Sequence, residues 1–335
     1  MPILGIIASA FRALASKAIA VAADNAPRIA TYPWSAGFGT KYADPSPALP
    51  ASLSFGVTFN PAGDTIAIAN LNTPFIVAYP FSAGFGTKYA NPASLPPDSG
   101  TSVAFNKDAG KDIAVAVTAT PFINVYPWSP GFGTKYANPA PLPTDFAWSV
   151  TFNPAGTDIA LGINSTPYIN VYPWSAGFGT KYANPATLPT GSGNGVTLSA
   201  TTVALGHSVT PFVSTYPWSA GFGTKYANPA TLPTGLGNGL AFNPAATAIA
   251  ISHDVTPFVS TYPWSAGFGT KYANPATLPT GEGLSTAFNS DGDTIAVASR
   301  DTPFIATYPW SAGFGTKYAN PSTLPAGTSR GVAFN

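Results

Sequence analysis

The stretch YPWSAGFGTKYANP, Tyr172–Pro185, stands in near-copies six more times along the 335-residue chain. Tyr-Pro-Trp closes an apolar run, Ser-Ala-Gly-Phe-Gly has the small residues of a hairpin, and Thr-Lys-Tyr-Ala resumes an extended pattern. Upstream of the motif, Thr-Pro opens the run PFIATYPW (Pro303–Trp310), and before that comes TIAVA (Thr294–Ala298), apolar and β-branched. Further upstream an alternating segment such as GLAFNP (Gly239–Pro244) ends in a turn. Asn60-Pro61-Ala62-Gly63 and its near variants in other units put Asn first, Pro second and Gly fourth, which suits a type I turn. No helix-period stripe occurs in the repeats. Each unit is therefore expected to hold four short strands, named a to d.

The first tyrosine of the motif falls at Tyr32, Tyr79, Tyr126, Tyr172, Tyr216, Tyr262 and Tyr308, at spacings of 47, 47, 46, 44, 46 and 46 residues. A period in the forties with strand content signals a β-propeller blade. The expected fold is all-β: a seven-bladed β-propeller with four-stranded blades over residues 17–335, preceded by a lead-in of residues 1–16. Strands b, c and d of one blade lie at the N-terminus, and GVAFN (Gly331–Asn335) supplies a lone strand a at the C-terminus. Joined, they close the ring. Ile6–Phe11 competes for that place but lacks the Asn-Pro-Ala-Gly turn. Val196–Leu205 has lost two residues and the Pro-Gly turn, which predicts a tighter a–b hairpin and accounts for the 44 spacing. The recurring Pro27, Pro74, Pro121, Pro167, Pro211, Pro257 and Pro303 are expected at the head of strand c, where a missing N–H is tolerated. The motif lysine, Lys41 to Lys317, is expected to guard the outer edge of strand d.

Composition bounds the function. Charged residues make up 8%, and the net charge is +1. This gives no basic face for nucleic acid. Cysteine is absent, so there is no disulfide or thiolate metal site. Arg12 and Lys17 interrupt the apolar N-terminal run before it reaches the length of a membrane span, and no basic region precedes it as in a secretory signal. It reads as an attachment segment, with Ile3, Leu4, Ile6 and Ile7 as its apolar contacts.

The phrase VAFNPAGDTIAVA…VYPW resembles the strand a, turn, strand b and strand c pattern of WD40-like β-propellers over residues 17 to 335. It departs from them in having no Gly-His pair and in reading YPW for Trp-Asp, so that family's Asp-His-Ser/Thr-Trp network is not expected. The resemblance implies a rigid interaction platform, usually without catalysis. The arrays NPAGDTIAVA…TPFI.VYPWSAGFGTKYANPATLP also resemble tailed-bacteriophage structural proteins, and Leu4–Ala10 (LGIIASA) resembles the opening of phage virion-appendage proteins. That second resemblance implies a virion component located in the extracellular particle.

Aligning the units with one another shows where they vary. Four residues before the strand-a aromatic stand Phe55, Thr101, Trp148, Asn194, Asn238, Leu284 and Arg330, with Leu198 taking the aromatic's place in the shortened unit. Six before it stand Leu53, Ser99, Phe146, Ser192, Leu236, Glu282 and Thr328. The alternation of variable and small residues has period two and puts the varied side chains on one face. The b–c loop also varies and carries His207, His253 and Arg300. Both sets are expected on one end of the ring, as varied loops on a rigid scaffold. The candidate binding residues are thus Phe55, Thr101, Phe146, Trp148, Asn194, Asn238, Glu282, Leu284, Arg330, His207, His253 and Arg300, with Phe and Trp as anchors.

Other chemistry has weaker footing in the sequence. His207, His253 and Asp254 fall short of a catalytic zinc set, and the histidines read as solvated loop residues. Asp24, Asp254, Glu282 and Asp301 could reach the variable face, but no spacing pairs them as a glycosidase dyad. The GFG of the motif is a hairpin tip, not a phosphate loop. The motif Tyr and Trp read as between-blade packing; the alternative is that they stack on sugars, as in a multivalent lectin. The sequence thus leads to a non-enzymatic virion protein that needs no cofactor. It is attached through its N-terminus to other virion proteins and presents its variable face to a host-surface glycan or protein. A free carbohydrate-binding propeller is the alternative.

Overall fold

The computed structural model describes residues 17–335 except Ala48 and Ala109. Its described strands form seven antiparallel sheets of three, each a blade with strand b in the middle. Blade 1 holds Ser329–Phe334 (a), Ala18–Ala23 (b) and Ile29–Pro33 (c). Blade 2 holds Ser54–Phe59, Thr65–Asn70 and Ile76–Pro80; blade 3 holds Gly100–Phe105, Asp112–Val117 and Ile123–Pro127. Blade 4 holds Ala147–Phe152, Asp158–Ile163 and Ile169–Pro173; blade 5 holds Gly193–Leu198, Thr202–His207 and Val213–Pro217. Blade 6 holds Gly237–Phe242, Ala248–His253 and Val259–Pro263; blade 7 holds Gly283–Phe288, Thr294–Ser299 and Ile305–Pro309. Each strand a touches strand a of both flanking blades, and the cycle closes between blades 7 and 1. The chain is a seven-bladed β-propeller, its ring shut by the C-terminal strand, with Ile19 opposite Phe334 and Val21 opposite Val332.

Strand b explains why identical units make a ring. All seven b strands are buried along their whole length. In blade 3, Ile113 and Val115 pack on Ala67 and Ala69 of blade 2. The other face, Ala114 and Ala116, receives Ile159 and Leu161 of blade 4. Large residues of one blade meet small residues of the next, a head-to-tail contact that propagates without a free face. The closing interfaces obey the same rule: Ile19 and Val21 sit against Ala296 and Ala298, and Ala18 and Ala20 against Ile66 and Ile68.

Three expectations are corrected. The fourth segment of each unit is not a ladder strand. Trp34 and Phe38 form an isolated bridge, and only Gly39 N–H to Pro33 O (2.9 Å) and Tyr42 N–H to Thr31 O (2.9 Å) tie the segment to strand c. Pro33 and Pro45 have no N–H to offer on either side, so pairing stops there. The motif lysines accordingly cap no strand edge; Lys181 Nζ, for example, donates to Asn184 Oδ1 at 2.6 Å. The recurring proline lies in the b–c turn rather than in strand c. In blade 2 a cis bond joins Thr73 to Pro74, Phe75 takes a φ of 65°, and its N–H returns to Asn72 O at 2.8 Å. Strand c begins one residue later.

The a–b turns agree with their reading. Gly63 N–H donates to Asn60 O at 2.9 Å, and Asn60 Oδ1 accepts from the N–H groups of Asp64 and Thr65. The shortened unit makes the tighter hairpin, with Ser199 N–H on Thr202 O at 2.8 Å. The lead-in, with Ile3, Leu4, Ile6 and Ile7, lies outside the described residues, as does the competing Ile6–Phe11. The strand-a place of blade 1 belongs to Ser329–Phe334.

Candidate functional site

In every blade the pairing of strands a and b slips by one residue near the start of strand a. Ser54 pairs with Asn70 and Gly56 with Ala69, leaving Phe55 between them as a bulge. The same slip leaves out Thr101, Trp148, Asn194, Asn238, Leu284 and Arg330. A bulge adds a residue to one strand and re-aims its side chain. Seven such residues ring the channel mouth, where they line a cup of about 270 Å³. The variable set is therefore brought together as expected, but by the bulge rather than by simple alternation. The small residues that follow are required by close approach: a Cβ on Gly195 would stand 2.5 Å from Asn238 O of the next blade.

The two variable loops meet at this end. Leu71 N–H donates to Leu53 O (3.0 Å), Asn164 N–H to Phe146 O (3.0 Å) and Arg300 N–H to Glu282 O (3.0 Å). Each bond ties a b–c loop to the residue preceding strand a.

The ring residues are not equivalent. Thr101 is buried and donates to Ala147 O at 2.6 Å. Asn194 Nδ2 donates to Gly237 O at 3.2 Å, and Asn238 Nδ2 to Gly283 O at 2.9 Å. All three staple their blade to the next; the amides of Asn194 and Asn238 still border the cup. Arg330 grips Asp24 through Nε (2.5 Å) and Nη2 (3.1 Å), and its guanidinium lies 5.1 Å from the Phe55 ring. Glu282 joins Arg300 at 2.5 Å and Asn238 at 3.3 Å. Asp254 accepts from Leu236 N–H at 2.9 Å. Asp24, Asp254 and Glu282 are thus engaged in pairs and turns. Trp148 is 39% exposed and edges onto Phe146 at 5.0 Å, leaving one broad apolar surface open to solvent.

The histidines are a correction. His207 and His253 end strands b and are fully buried, not displayed on the face. Their Nε2 atoms meet Ser214 Oγ and Ser260 Oγ, each at 3.0 Å. Strand b is the middle strand of its blade and has a neighbouring blade on each face, so its last residue is covered. Burial pushes both imidazoles down to about 4. Folded histidines then resist a proton that the unfolded chain takes up near 6.5. Stability is full above pH 6.5 and falls as pH drops towards 4, by up to about 1.4 kcal/mol per pH unit for each histidine. Urea titrations at pH 7 and pH 5 should show this loss, and His207→Gln with His253→Gln should flatten it. An unchanged slope in that variant would assign the acid sensitivity elsewhere. Among the described residues no group of three or more potential ligands gathers as a metal cluster.

The motif aromatics are between-blade packing. Tyr172 OH donates to Pro141 O at 3.0 Å and Tyr126 OH to Ser94 O at 2.8 Å, each reaching the segment from the preceding blade. Trp174 meets Tyr136 of blade 3 edge-on at 5.1 Å. Sequence reasoning missed that Trp174 Nε1 also donates to Asp112 Oδ2 (2.9 Å), and Trp218 Nε1 to Asp158 Oδ2 (3.1 Å). The signal was Asp at the head of strand b, found only in blades 3 and 4.

No family model and no curated protein matches the chain. Among solved structures it is similar to two proteins each described as a "putative 6-phosphogluconolactonase". The one from Bacteroides fragilis is 13% identical, with 96% of this chain and 98% of that one covered, at a TM-score of 0.74. The one from Bacteroides uniformis is 14% identical, with 95% and 99% covered, at 0.70. A functionally unknown protein from Desulfotomaculum acetoxidans is 10% identical, with 96% and 99% covered, at 0.72. At these identities the likeness shows the shared propeller fold. The expectation of a non-enzyme is corrected: propellers of this shape include proteins with lactonase names, and a fold does not decide between binding and catalysis.

Proposed function

We propose that this protein is a recognition platform whose channel mouth binds a polyhydroxylated group of a host surface, with a glycan as the ligand class. The observation that carries the reading is convergence: the residues that vary between units gather in one cup, beside one half-exposed tryptophan. Trp148 offers a face for the apolar side of a sugar ring, and Asn194 and Asn238 offer amides for its hydroxyls. A site for seven equivalent sugars is disfavoured, because the motif tyrosines and tryptophans are buried between blades. Placement in a bacteriophage virion, with attachment through residues 1–16 to other virion proteins, belongs to the same proposal. It rests on the resemblance of the repeat phrase and of Leu4–Ala10 to phage structural proteins.

Glycan-array screening of the full chain, followed by titration with the best binder, tests the ligand. Trp148→Ala is expected to weaken binding by about 2 kcal/mol, roughly thirty-fold, with the melting temperature unchanged. Equal binding by the variant would move the site off the mouth. A sugar lactone belongs in the same screen, and its turnover would replace recognition with catalysis. Cryo-EM of purified particles tests the placement; a particle without the ring would end that half of the reading.

A further inference from the structure

The other end of the channel differs in kind. There the a–b turns converge around a cavity of about 680 Å³, walled by Phe152, Leu198, Phe242, Phe288 and Phe334. These residues end their inner strands. Only one charged side chain lines the cavity among the described residues, that of Lys107. It stands where other a–b turns carry Pro61, Pro154, Ala200, Pro244 and Ser290. Its turn, Asn106-Lys107-Asp108-Ala109-Gly110, is one residue longer than Asn60-Pro61-Ala62-Gly63. The neighbouring carboxylates are committed elsewhere. Asp108 pairs with Lys111 at 2.8 Å, and Asp112 accepts from Asn106, Tyr136 and Trp174. Lys107 is exposed within the cavity, and partial desolvation there pushes its amine below the ordinary lysine range. An ammonium beside apolar walls, open to entry and without a carboxylate partner among the described residues, is completed by an incoming anion.

We infer that this cavity is a second ligand site, which takes a small amphipathic anion. Its carboxylate would pair with Lys107 Nζ and its apolar body would lie on Phe242, Phe288 and Phe334, which are half-buried at the cavity wall. Half-buried phenylalanines beside a lysine amine together define that class of ligand, which the polar mouth does not suit.

Calorimetric titration of the full chain with decanoate, and with decanol as the uncharged counterpart, tests the site. Decanoate is expected to saturate at one molecule per chain and to bind at least about ten-fold tighter than decanol. Lys107→Met keeps the apolar volume and should erase that margin, whereas Lys107→Arg should retain it. The variants are checked for an unchanged melt; other repeats place Pro, Ala or Ser there, so the position tolerates replacement. Failure of decanoate to saturate, equal affinity for decanol, or wild-type affinity in Lys107→Met would each overturn the inference.

Discussion

Removal of Ser329–Asn335 is expected to abolish the folded ring. The deletion strips strand a from blade 1 and uncovers Ile19, Ala20 and Val21, all fully buried in the intact chain. It also removes Val332 and Phe334 and opens the contacts of blade 1 with the inner strands of blades 2 and 7. Lost apolar burial and unpaired ladder groups sum to the order of 10 kcal/mol. That is comparable to the whole stability of a typical domain. The shortened chain should therefore lose its cooperative melt and aggregate through the exposed edge of Ala18–Ala23. A synthetic peptide SRGVAFN should restore the transition in trans, since the closure is held by strand pairing, packing and the Arg330–Asp24 ion pair, without a covalent link. A truncated chain that melted like the full one would mean that the ring does not depend on this strand.

Replacement of Trp174 by alanine should be among the most damaging single changes. Its ring packs edge-on against Tyr136 (5.1 Å), Phe178 (5.0 Å) and Phe152 (5.9 Å), joining blades 3 and 4. Loss of such a buried aromatic costs about 3–5 kcal/mol. Trp174→Phe should cost less. Blade 2 already carries Phe81 at this place, enclosed by Tyr42, Phe59 and Phe85. What phenylalanine cannot supply is the Nε1 donor to Asp112, a loss of about 1–3 kcal/mol for a bond to a charged group. Urea midpoints of the two variants separate packing from hydrogen bonding. Equal costs would mean that the indole donor, not the ring, holds the interface.

Much of the architecture was legible because it is periodic. Seven motif tyrosines state the blade count, and GVAFN at the C-terminus states the closure, since each unit needs one strand a. Counting back from the strand-a aromatic also picked out the residues from Phe55 to Arg330 that ring the mouth. The fourth strand was misread because extended sequence and ladder pairing look alike in one dimension. Pro33 and Pro45 were visible, but how they bracket the short pairing of the two segments was not. The histidines were misread for a related reason: Ser-His-Asp looks like a loop, yet His253 is the last residue of a strand enclosed by two blades.

The sequence by itself determined the repeat, the number of blades, the interleaved ends and the alternation of large and small residues along strand b. These follow from local pattern and from the need of each identical unit to bury both faces. Tertiary structure alone decided where the varying side chains point and which of them are free. The bulge aims seven of them inward, but Thr101 is spent on the next blade, Arg330 holds Asp24, and Trp148 stays open. It also decided that Lys107 faces phenylalanines from other blades rather than a carboxylate. Such neighbours are set by the curvature of the closed ring, which brings together residues from blades far apart in the chain.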